Sequence, residues 1–217
     1  VLVIGNDFSK SPSAISSGIF NPITGRNLVK TWMAEELRES ADAFYPELER
    51  ELEISVYTKP SMIRTIRSAR EMNDYSVRSG QEEYIGILGE HLIELDSNKY
   101  GDMEGAYEIG HVRRLDIKSL CEALHRFLRA EHALVEERFQ HDEMVIEEGI
   151  IAYRDIKARN IIFCEGASVQ QNPYFSNLPF IIAKGELINI QSDTLQQDFL
   201  LNSHKVLMPL GGNRYWY

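Results

Sequence analysis

Short apolar runs of the kind that form β-strands crowd the second half of this chain, and no helical patterns separate them at regular intervals. The runs occupy residues 134–139, 143–147, 150–153, 160–164, 180–191 and 204–209. Two of them are separated only by Glu148-Gly149, which predicts a tight hairpin between antiparallel strands. A regular alternation of strand and helix would indicate a parallel sheet. The chain therefore fits an α+β domain, or a parallel domain interrupted by an antiparallel one.

Two amphipathic helices precede most of these runs. Residues 30–52 carry apolar side chains at spacings of three and four, with Pro46 at a point where the helix is expected to kink or restart. A second helix is predicted from about Asp116, a favourable N-cap, to about Glu131. The apolar stripe of the first helix consists of Met33, Leu37, Ala41, Phe44, Leu48 and Leu52.

The charge balance argues against two classes of partner. The net charge is −10 at pH 7, with no block of lysine or arginine, whereas nucleic acids and anionic membrane surfaces reward clustered positive charge. No apolar run approaches the roughly 20 residues of a membrane-spanning helix. The two cysteines, Cys121 and Cys164, fit a reduced compartment better than a disulfide scaffold. We therefore expect a cytoplasmic protein without a nucleic-acid partner or membrane insertion.

One pair of side chains has a spacing that is found in metal sites. Cys121 and His125 lie four residues apart on the second predicted helix. The sequence suggests no third or fourth ligand, and Cys121 lies on the apolar stripe of that helix with Leu120 and Leu124. A place in the core is the better interpretation, so no metal site is predicted.

Five segments, in order along the chain, resemble the D-amino-acid oxidase family of FAD-dependent oxidoreductases. The strand 1–5 and the loop Ser11-Pro-Ser-Ala-Ile-Ser-Ser-Gly18 resemble the second strand and flavin-facing loop of that family. The helix containing Lys30-Thr-Trp-Met33 follows at the expected place. The other segments are the helix 116–131 leading into 133–139, the run Ile161-Ile-Phe-Cys-Glu-Gly-Ala167, and Ala183-Lys-Gly-Glu-Leu-Ile-Asn-Ile190.

This resemblance implies an architecture between the α+β and α/β classes. An interrupted Rossmann-like FAD/NAD(P)-binding layer would be combined with an antiparallel substrate-domain sheet flanked by helices. Residues 1–30 and 112–178 would form a partial FAD-binding domain. Residues 31–111 and 179–217 would form the substrate-binding domain.

The resemblance also implies which residues approach the flavin. Small side chains matter at these positions because bulky ones would block the cofactor. From the residues alone, plainer interpretations stay open: a Ser-rich surface loop, a glycine that ends a strand, and a core aromatic. The implied cofactor residues are Ser11, Ser13, Ser16, Ser17, Gly18, Phe139, Gly166 and Ala167.

The turn that holds the FAD pyrophosphate in this family has no counterpart in the sequence. In the family, a G-x-G-x-x-G turn leads from the first strand into a helix. Here the only adjacent glycines are Gly211-Gly212, far along the chain. We therefore expect an internal fragment that lacks both flanks, with FAD held by the intact protein and absent from the fragment. Unpaired sheet edges in such a fragment predict a homodimer or strand swapping.

The activity that the resemblance implies is oxidation of a C–N bond of an amino acid or amine, by hydride transfer to FAD. A cation must then bind the substrate carboxylate. Arg64, on a short strand predicted near 62–67, is the candidate, with Arg26 and Lys30 as alternatives. His111 is a second candidate substrate residue, although a solvated loop histidine is the plainer interpretation. No catalytic residue is assigned.

Two other functions remain open. The missing glycine turn favours a flavin-free α+β module that binds a small ligand or another protein without catalysis. The second is an FAD-dependent 2-hydroxy-acid dehydrogenase of the same superfamily, which would need a base near the substrate hydroxyl.

Overall fold

The computed structural model describes residues 1–6 and 8–217, and these form two compact units. Unit 1 comprises residues 1–14 and 125–186, and unit 2 comprises residues 15–124 and 187–217. Helices combine with a six-stranded mixed sheet and several smaller sheets, which confirms the predicted fold class. Among the described residues, no helix has the length and apolar character needed to cross a membrane.

The two long helices lie where the sequence places them. The second begins as predicted, because Asp116 Oδ1 accepts a hydrogen bond from the Ser119 amide at 3.2 Å. The first is one continuous helix through Pro46, so the predicted restart is wrong. The α-helices of the described residues are α1 (Ala34–Leu52), α2 (Ala69–Ser79), α3 (Ser97–Tyr100) and α4 (Ile117–Ala130).

The strands are short and numerous. Those of the first half are β1 (Val3–Ile4), β2 (Ile19–Phe20), β3 (Ile23–Thr24), β4 (Val29–Lys30), β5 (Tyr57–Thr58), β6 (Met62–Ile66), β7 (Gly105–Ile109) and β8 (Arg113–Leu115). Those of the second half are β9 (Leu134–Val135), β10 (Met144–Glu147), β11 (Ile150–Tyr153), β12 (Ile156–Ala158), β13 (Asn189–Gln191), β14 (Leu200–Asn202), β15 (Val206–Gly211) and β16 (Arg214–Trp216).

The main sheet of unit 2 joins strands that lie far apart in sequence. Its order is β13-β16-β15-β14-β6-β7. β14 runs parallel to β6, and the other neighbouring pairs are antiparallel. The pairing of β6 with β14 brings residues 62–64 beside 200–202. It therefore joins the two stretches of unit 2, residues 15–124 and 187–217, in one sheet.

Side-chain alternation along this sheet produces a core on each face. Leu200 and Met208 belong to the larger cluster, with Met62, Tyr107 and Ile109. The adjacent residues Leu201 and Leu207 belong to a smaller cluster on the other face. A one-residue change of register would exchange the two sets, so burial on both faces specifies the strand pairing.

The predicted apolar stripe of helix α1 is only partly covered. Met33, Leu37 and Phe44, on the predicted apolar stripe, are exposed by 40%, 47% and 57%. The carboxylate of Glu49 accepts hydrogen bonds from the amides of Val56 and Tyr57, at 2.5 and 2.7 Å. The other stripe residues, Ala41, Leu48 and Leu52, are half-buried. Apolar packing and polar contacts therefore both hold α1.

Arg67 ties three segments of unit 2 together. Its Nε donates to Ser203 Oγ at 2.7 Å. Its two terminal nitrogens donate to the carbonyl oxygens of Asp102 and Tyr100, both at 2.9 Å. The planar guanidinium suits this role because its donors point in several directions within one plane.

Unit 1 contains a parallel strand pair and an antiparallel meander. β1 pairs with β9 in parallel, with Val3 opposite Leu134. β10, β11 and β12 form the meander. The predicted hairpin between β10 and β11 is confirmed, and its two turn residues, Glu148 and Gly149, have φ angles of 50° and 78°. Two left-handed residues in sequence are typical of a type I′ turn, whose twist matches that of the strands.

Several predicted strands are absent or much shorter than expected, among them 134–139, of which only Leu134–Val135 forms a strand. Residues 160–164 form no strand, and Ile162 there is exposed by 84%. Of the predicted run 180–191, only Asn189–Gln191 pairs, with β16. A strand requires a neighbouring backbone for its hydrogen bonds, and the described residues supply none for 160–164. Apolar composition alone therefore did not identify a strand here.

Candidate functional site

A carboxylate in unit 1 is held by two side chains from different segments. Glu165 Oε1 lies 2.7 Å from His141 Nε2. Its Oε2 accepts a hydrogen bond from Asn172 Nδ2 at 2.6 Å. The Asn172 side chain is fully buried, and its Oδ1 accepts from the Tyr174 amide at 2.9 Å. Both carboxylate oxygens of Glu165 are therefore bound.

This carboxylate immediately precedes the glycine that the family resemblance implies for cofactor contact. Gly166 has a φ of 54°, in the left-handed region that favours glycine. Among the described residues, no heavy atom lies within 4 Å of the position that a Cβ would take there. The backbone is thus open on that side. Gly166 and Ala167 then begin a 3-10 turn over Gly166–Gln171.

An aromatic cluster surrounds the histidine of this group. Phe139 lies edge-on to His141, with ring centroids 5.4 Å apart, and stacks on Tyr153 at 4.4 Å. Phe163 contacts both Phe139 and His141, each at 5.8 Å. Phe139 is therefore packed among aromatic rings, as the plainer interpretation proposed. It is also joined through His141 to the turn at Gly166.

The remaining predicted cofactor residues fall in both units. Ser11 and Ser13 belong to unit 1, where Ser11 Oγ accepts from the Ala14 amide at 3.2 Å. Ser16, Ser17 and Gly18 begin unit 2. Their role as cofactor residues stays a prediction.

The glycine at position 18 also has a structural reason that does not involve a cofactor. Its φ is 66°, and a Cβ there would lie 1.9 Å from the carbonyl oxygen of Leu115. The Leu115 amide donates to the Gly18 carbonyl at 2.9 Å. The chain therefore needs a glycine at this position so that the backbone leading into β2 can approach the end of β8.

A depression in unit 2 holds two of the three cations proposed for substrate binding. It is lined by Arg26, Leu28, Arg64, Thr65, Ile66, Glu71 and Tyr107. Arg64 donates to the Gly25 carbonyl at 3.1 Å. In the described part of the chain, Arg26 has no ion pair. Glu71, the one carboxylate of the lining, accepts from the Arg67 amide at 2.8 Å. The lining therefore has an excess of positive charge.

The geometry distinguishes these cations from Lys30. The ammonium of Lys30 lies 2.7 Å from Glu35 Oε1, and this bond raises the lysine pKa. A cation that is already neutralised attracts a further anion less strongly. Of the three proposed groups, Arg26 and Arg64 therefore have the stronger potential for binding an anion.

Tyr107 is a component of the depression that the sequence did not indicate. It lies opposite Arg64 in the β6–β7 ladder and stacks on Tyr75, with centroids 4.5 Å apart. Burial raises its pKa to about 12, so the phenol stays protonated at neutral pH. Its strand lies in a stretch with no clear sequence pattern. The register with Arg64 was available only from the sheet.

His111 lies in unit 2 beside an ion-paired network. Its backbone is left-handed, with φ at 60°. Partial burial of the ring, together with the nearby Arg38 and Arg113, lowers its pKa. The residue as a whole is exposed. Its role in substrate binding stays a prediction.

The network beside His111 is centred on Asp42. Arg113 donates to both carboxylate oxygens of Asp42, at 2.6 Å each. Tyr57 Oη donates at 2.9 Å and Arg38 at 3.1 Å. The Arg113 hydrogen bonds hold the Asp42 pKa well below its usual range, and burial raises the pKa of Tyr57 to about 12. The network joins α1 to β5 and β8.

Cys121 and His125 are the two residues whose spacing is found in metal sites. His125 Nε2 lies 3.1 Å from Glu136 Oε1, and its ring packs edge-on to Phe8 at 5.0 Å. Burial raises the pKa of the Cys121 thiol, which disfavours the thiolate that binds metals. Within the described residues, no group of three or more side chains has the arrangement of a metal site.

Comparison with known protein families gives no match to any family model. Comparison with solved structures gives several matches along nearly the whole chain. Glycine oxidase from Geobacillus kaustophilus has a TM-score of 0.67 and 15% identity, covering 98% of this chain and 62% of that protein. Iminodiacetate oxidase from Chelativorans sp. BNC1 has a TM-score of 0.67 and 15% identity, covering 98% and 63%.

A third structure, named for a different reaction, matches this chain to a similar extent. L-amino acid deaminase from Proteus vulgaris has a TM-score of 0.63 and 9% identity, and the match covers 99% of this chain and 54% of that protein. The chain thus spans about three-fifths of the length of the first two structures and about half of the third. At these identities the matches show a shared fold.

Proposed function

We propose that this chain is part of a flavin-dependent oxidoreductase that oxidises a C–N bond of an amino acid or amine. The observation that carries the proposal is the shared fold over 98–99% of the chain with a glycine oxidase, an iminodiacetate oxidase and an L-amino acid deaminase. The five sequence segments that resemble the D-amino-acid oxidase family support the same assignment independently, because they depend on residue patterns.

The cofactor side of the proposal is assigned to unit 1. Ser11, Ser13, Phe139, Gly166 and Ala167, all of unit 1, would contact FAD there. The open backbone at Gly166 fits the close approach of a flat cofactor. The sequence supplies no glycine turn for the pyrophosphate. We propose that this turn belongs to a part of a longer protein outside this chain. When bound, FAD supplies the hydride acceptor.

The substrate side is assigned to unit 2. Arg64, assisted by Arg26, would hold the substrate carboxylate, because a guanidinium binds a carboxylate through paired, charge-assisted hydrogen bonds. The protonated hydroxyl of Tyr107 would donate a further hydrogen bond. These groups orient the substrate and carry no proton in the reaction. His111 remains a secondary candidate.

The first test is cofactor content. The product of the complete gene is expected to purify with FAD or to take it up with the visible absorption of a bound flavin. The 217-residue chain is expected to bind FAD weakly or not at all, because its sequence lacks the glycine turn. Each protein is mixed with FAD, and the free cofactor is removed. The absorption spectrum then measures how much flavin each of the two proteins has bound.

A colourless gene product that takes up no FAD would contradict the proposal. It would favour the flavin-free ligand- or protein-binding module, for which the missing glycine turn is the specific observation. A flavoprotein that oxidises 2-hydroxy acids and leaves amino acids and amines unchanged would favour the dehydrogenase instead.

The second test concerns Arg64. In the complete gene product, Arg64→Met is expected to raise the KM for an amino acid about 10–100-fold, the effect of losing one charged hydrogen-bonding pair. The kcat is expected to change less, since the carboxylate is bound equally in the ground and transition states. The KM of Arg64→Lys should lie between those of wild type and Arg64→Met, because an ammonium keeps the charge and loses the bidentate geometry.

Arg70→Met is the matched control for this substitution. Arg70 is 81% exposed, and its Nε lies 3.9 Å from Asp74, so its removal should leave KM within about twofold. An unchanged KM in Arg64→Met would remove Arg64 from the substrate site and leave the flavin assignment intact.

A further inference from the structure

We infer that His141 and Asn172 are positioning residues that hold Glu165, and through it set the place of the Gly166 turn at which FAD would be bound. The inference rests on the proposed function for its cofactor. It depends on the hydrogen bonds of one carboxylate, on the lack of strand pairing in the segment before it, and on the open backbone after it.

The segment before the turn is not held by a sheet. Residues 159–165 form no strand among the described residues, although the sequence predicts one at 160–164. A glycine at the end of a paired strand would be placed by the ladder hydrogen bonds. Without that ladder, side chains must place Gly166, because the entropy of a free loop opposes any single position.

Side-chain bonds take this role. The pair of His141 with Glu165 at 2.7 Å spans 24 residues of sequence. A second hydrogen bond joins the same two segments, since Arg138 donates to Gln171 Oε1 at 2.9 Å. Asn172 joins the end of the 3-10 turn back to its start through its 2.6 Å bond to Glu165. The turn is thus held at both of its ends.

Burial makes these bonds effective. The side chains of His141 and Glu165 are 21% and 18% exposed, and Asn172 is fully buried. Hydrogen bonds to a charged, mostly buried group contribute more than exposed ones do. The rings of Phe139 and Phe163 pack beside the imidazole and limit its rotation. Glu165 can therefore keep one orientation, and Gly166 follows directly in the chain.

The test compares removal, partial restoration and a matched control. His141→Ala removes the bond, and His141→Gln keeps a donor near the Nε2 position. His125→Ala removes a second histidine–carboxylate pair of unit 1, that of His125 with Glu136. Amide hydrogen exchange of residues 166–172 is measured in the 217-residue chain. FAD affinity and the visible spectrum of the bound flavin are measured in the complete gene product.

His141→Ala is expected to speed exchange across 166–172 about 10-fold and to weaken FAD binding about 10-fold, since one charged hydrogen bond is lost. It is also expected to shift the flavin spectrum. His141→Gln should restore most of the slow exchange and of the FAD affinity. His125→Ala should leave the exchange rate and the FAD affinity within about twofold of wild type. Asn172→Ser, which keeps a hydroxyl donor in the buried position, should give a smaller change in the same direction.

Three outcomes would decide against the inference. Unchanged exchange in His141→Ala would show that the turn is placed by other contacts. Faster exchange with unchanged FAD affinity would show that the bonds serve stability alone, while the proposed function stands. A wild-type gene product that binds no FAD would refute the proposed function and the cofactor role together, and the exchange data would still report whether the bonds order the turn.

Discussion

Replacing Gly18 with alanine is expected to lower the free energy of unfolding of unit 2 by about 2–5 kcal/mol. Two costs combine in this estimate: a left-handed φ of 66° in a residue with a Cβ, and a forced separation from a backbone atom. The Cβ would lie 1.9 Å from the Leu115 carbonyl oxygen, and a carbonyl in a strand cannot rotate away as a side chain can. The strand pairing of β2 with β8 must therefore shift.

Gly25→Ala is the matched control because it separates these two costs. Gly25 has a φ of 69°, and the described residues place no heavy atom within 4 Å of its Cβ position. Only the conformational cost remains there, about 1–2 kcal/mol. The sequence has two tryptophans, Trp32 and Trp216, and both lie in unit 2. Denaturant unfolding followed by their fluorescence therefore reports on this unit.

The comparison also bears on the function assigned to Gly18. A large loss of stability in the absence of flavin would show that backbone packing already requires the glycine. Equal effects of the two substitutions would show that the contact with Leu115 relaxes easily. The left-handed φ would then be the remaining structural reason for the glycine at position 18, beside the proposed approach of the cofactor.

Replacing Asp42 with asparagine is expected to destabilise unit 2 by about 2–4 kcal/mol at pH 7. The carboxylate accepts two hydrogen bonds from Arg113, one from Tyr57 and one from Arg38. An asparagine side chain has one acceptor oxygen and leaves the Arg113 guanidinium, whose side chain is 11% exposed, without its counter-ion. Removing one member of a largely buried pair costs several kcal/mol.

The pH dependence of this effect has a definite sign. The Arg113 hydrogen bonds lower the pKa of Asp42 in the folded state, while in the unfolded chain an aspartate has a pKa of about 3.9. The stabilisation is therefore present above about pH 4 and is lost as the pH falls from there through the lower, folded-state pKa. The stability difference between wild type and Asp42→Asn should narrow over that acidic range.

The control for Asp42 lies on the same helix. Glu47 is 76% exposed, and one of its oxygens lies 3.9 Å from Arg50, so Glu47→Gln should change stability by less than about 1 kcal/mol. The lowered pKa would be contradicted if the stability difference between wild type and Asp42→Asn were the same at neutral and acidic pH. Guanidinium-induced unfolding at several pH values makes the measurement.

Local patterns predicted the elements whose stability is local. The cap at Asp116 satisfies amides of its own helix, and the β10–β11 turn depends on the conformations of Glu148 and Gly149. Periodicity located both long helices. It did not reveal the polar contacts of α1, because Asp42 and Glu49 bind groups that lie seven or more residues away in sequence.

The sequence by itself determined the class of the fold, the two long helices, the hairpin and the absence of a glycine turn for a dinucleotide. Only the tertiary structure decided which side chains share a site. Arg64 faces Tyr107 because β6 pairs with β7 in one register, and Glu165 meets His141 across 24 residues. Such contacts depend on chain closure and strand register, which are stabilised by the whole core and leave no short-range pattern along the chain.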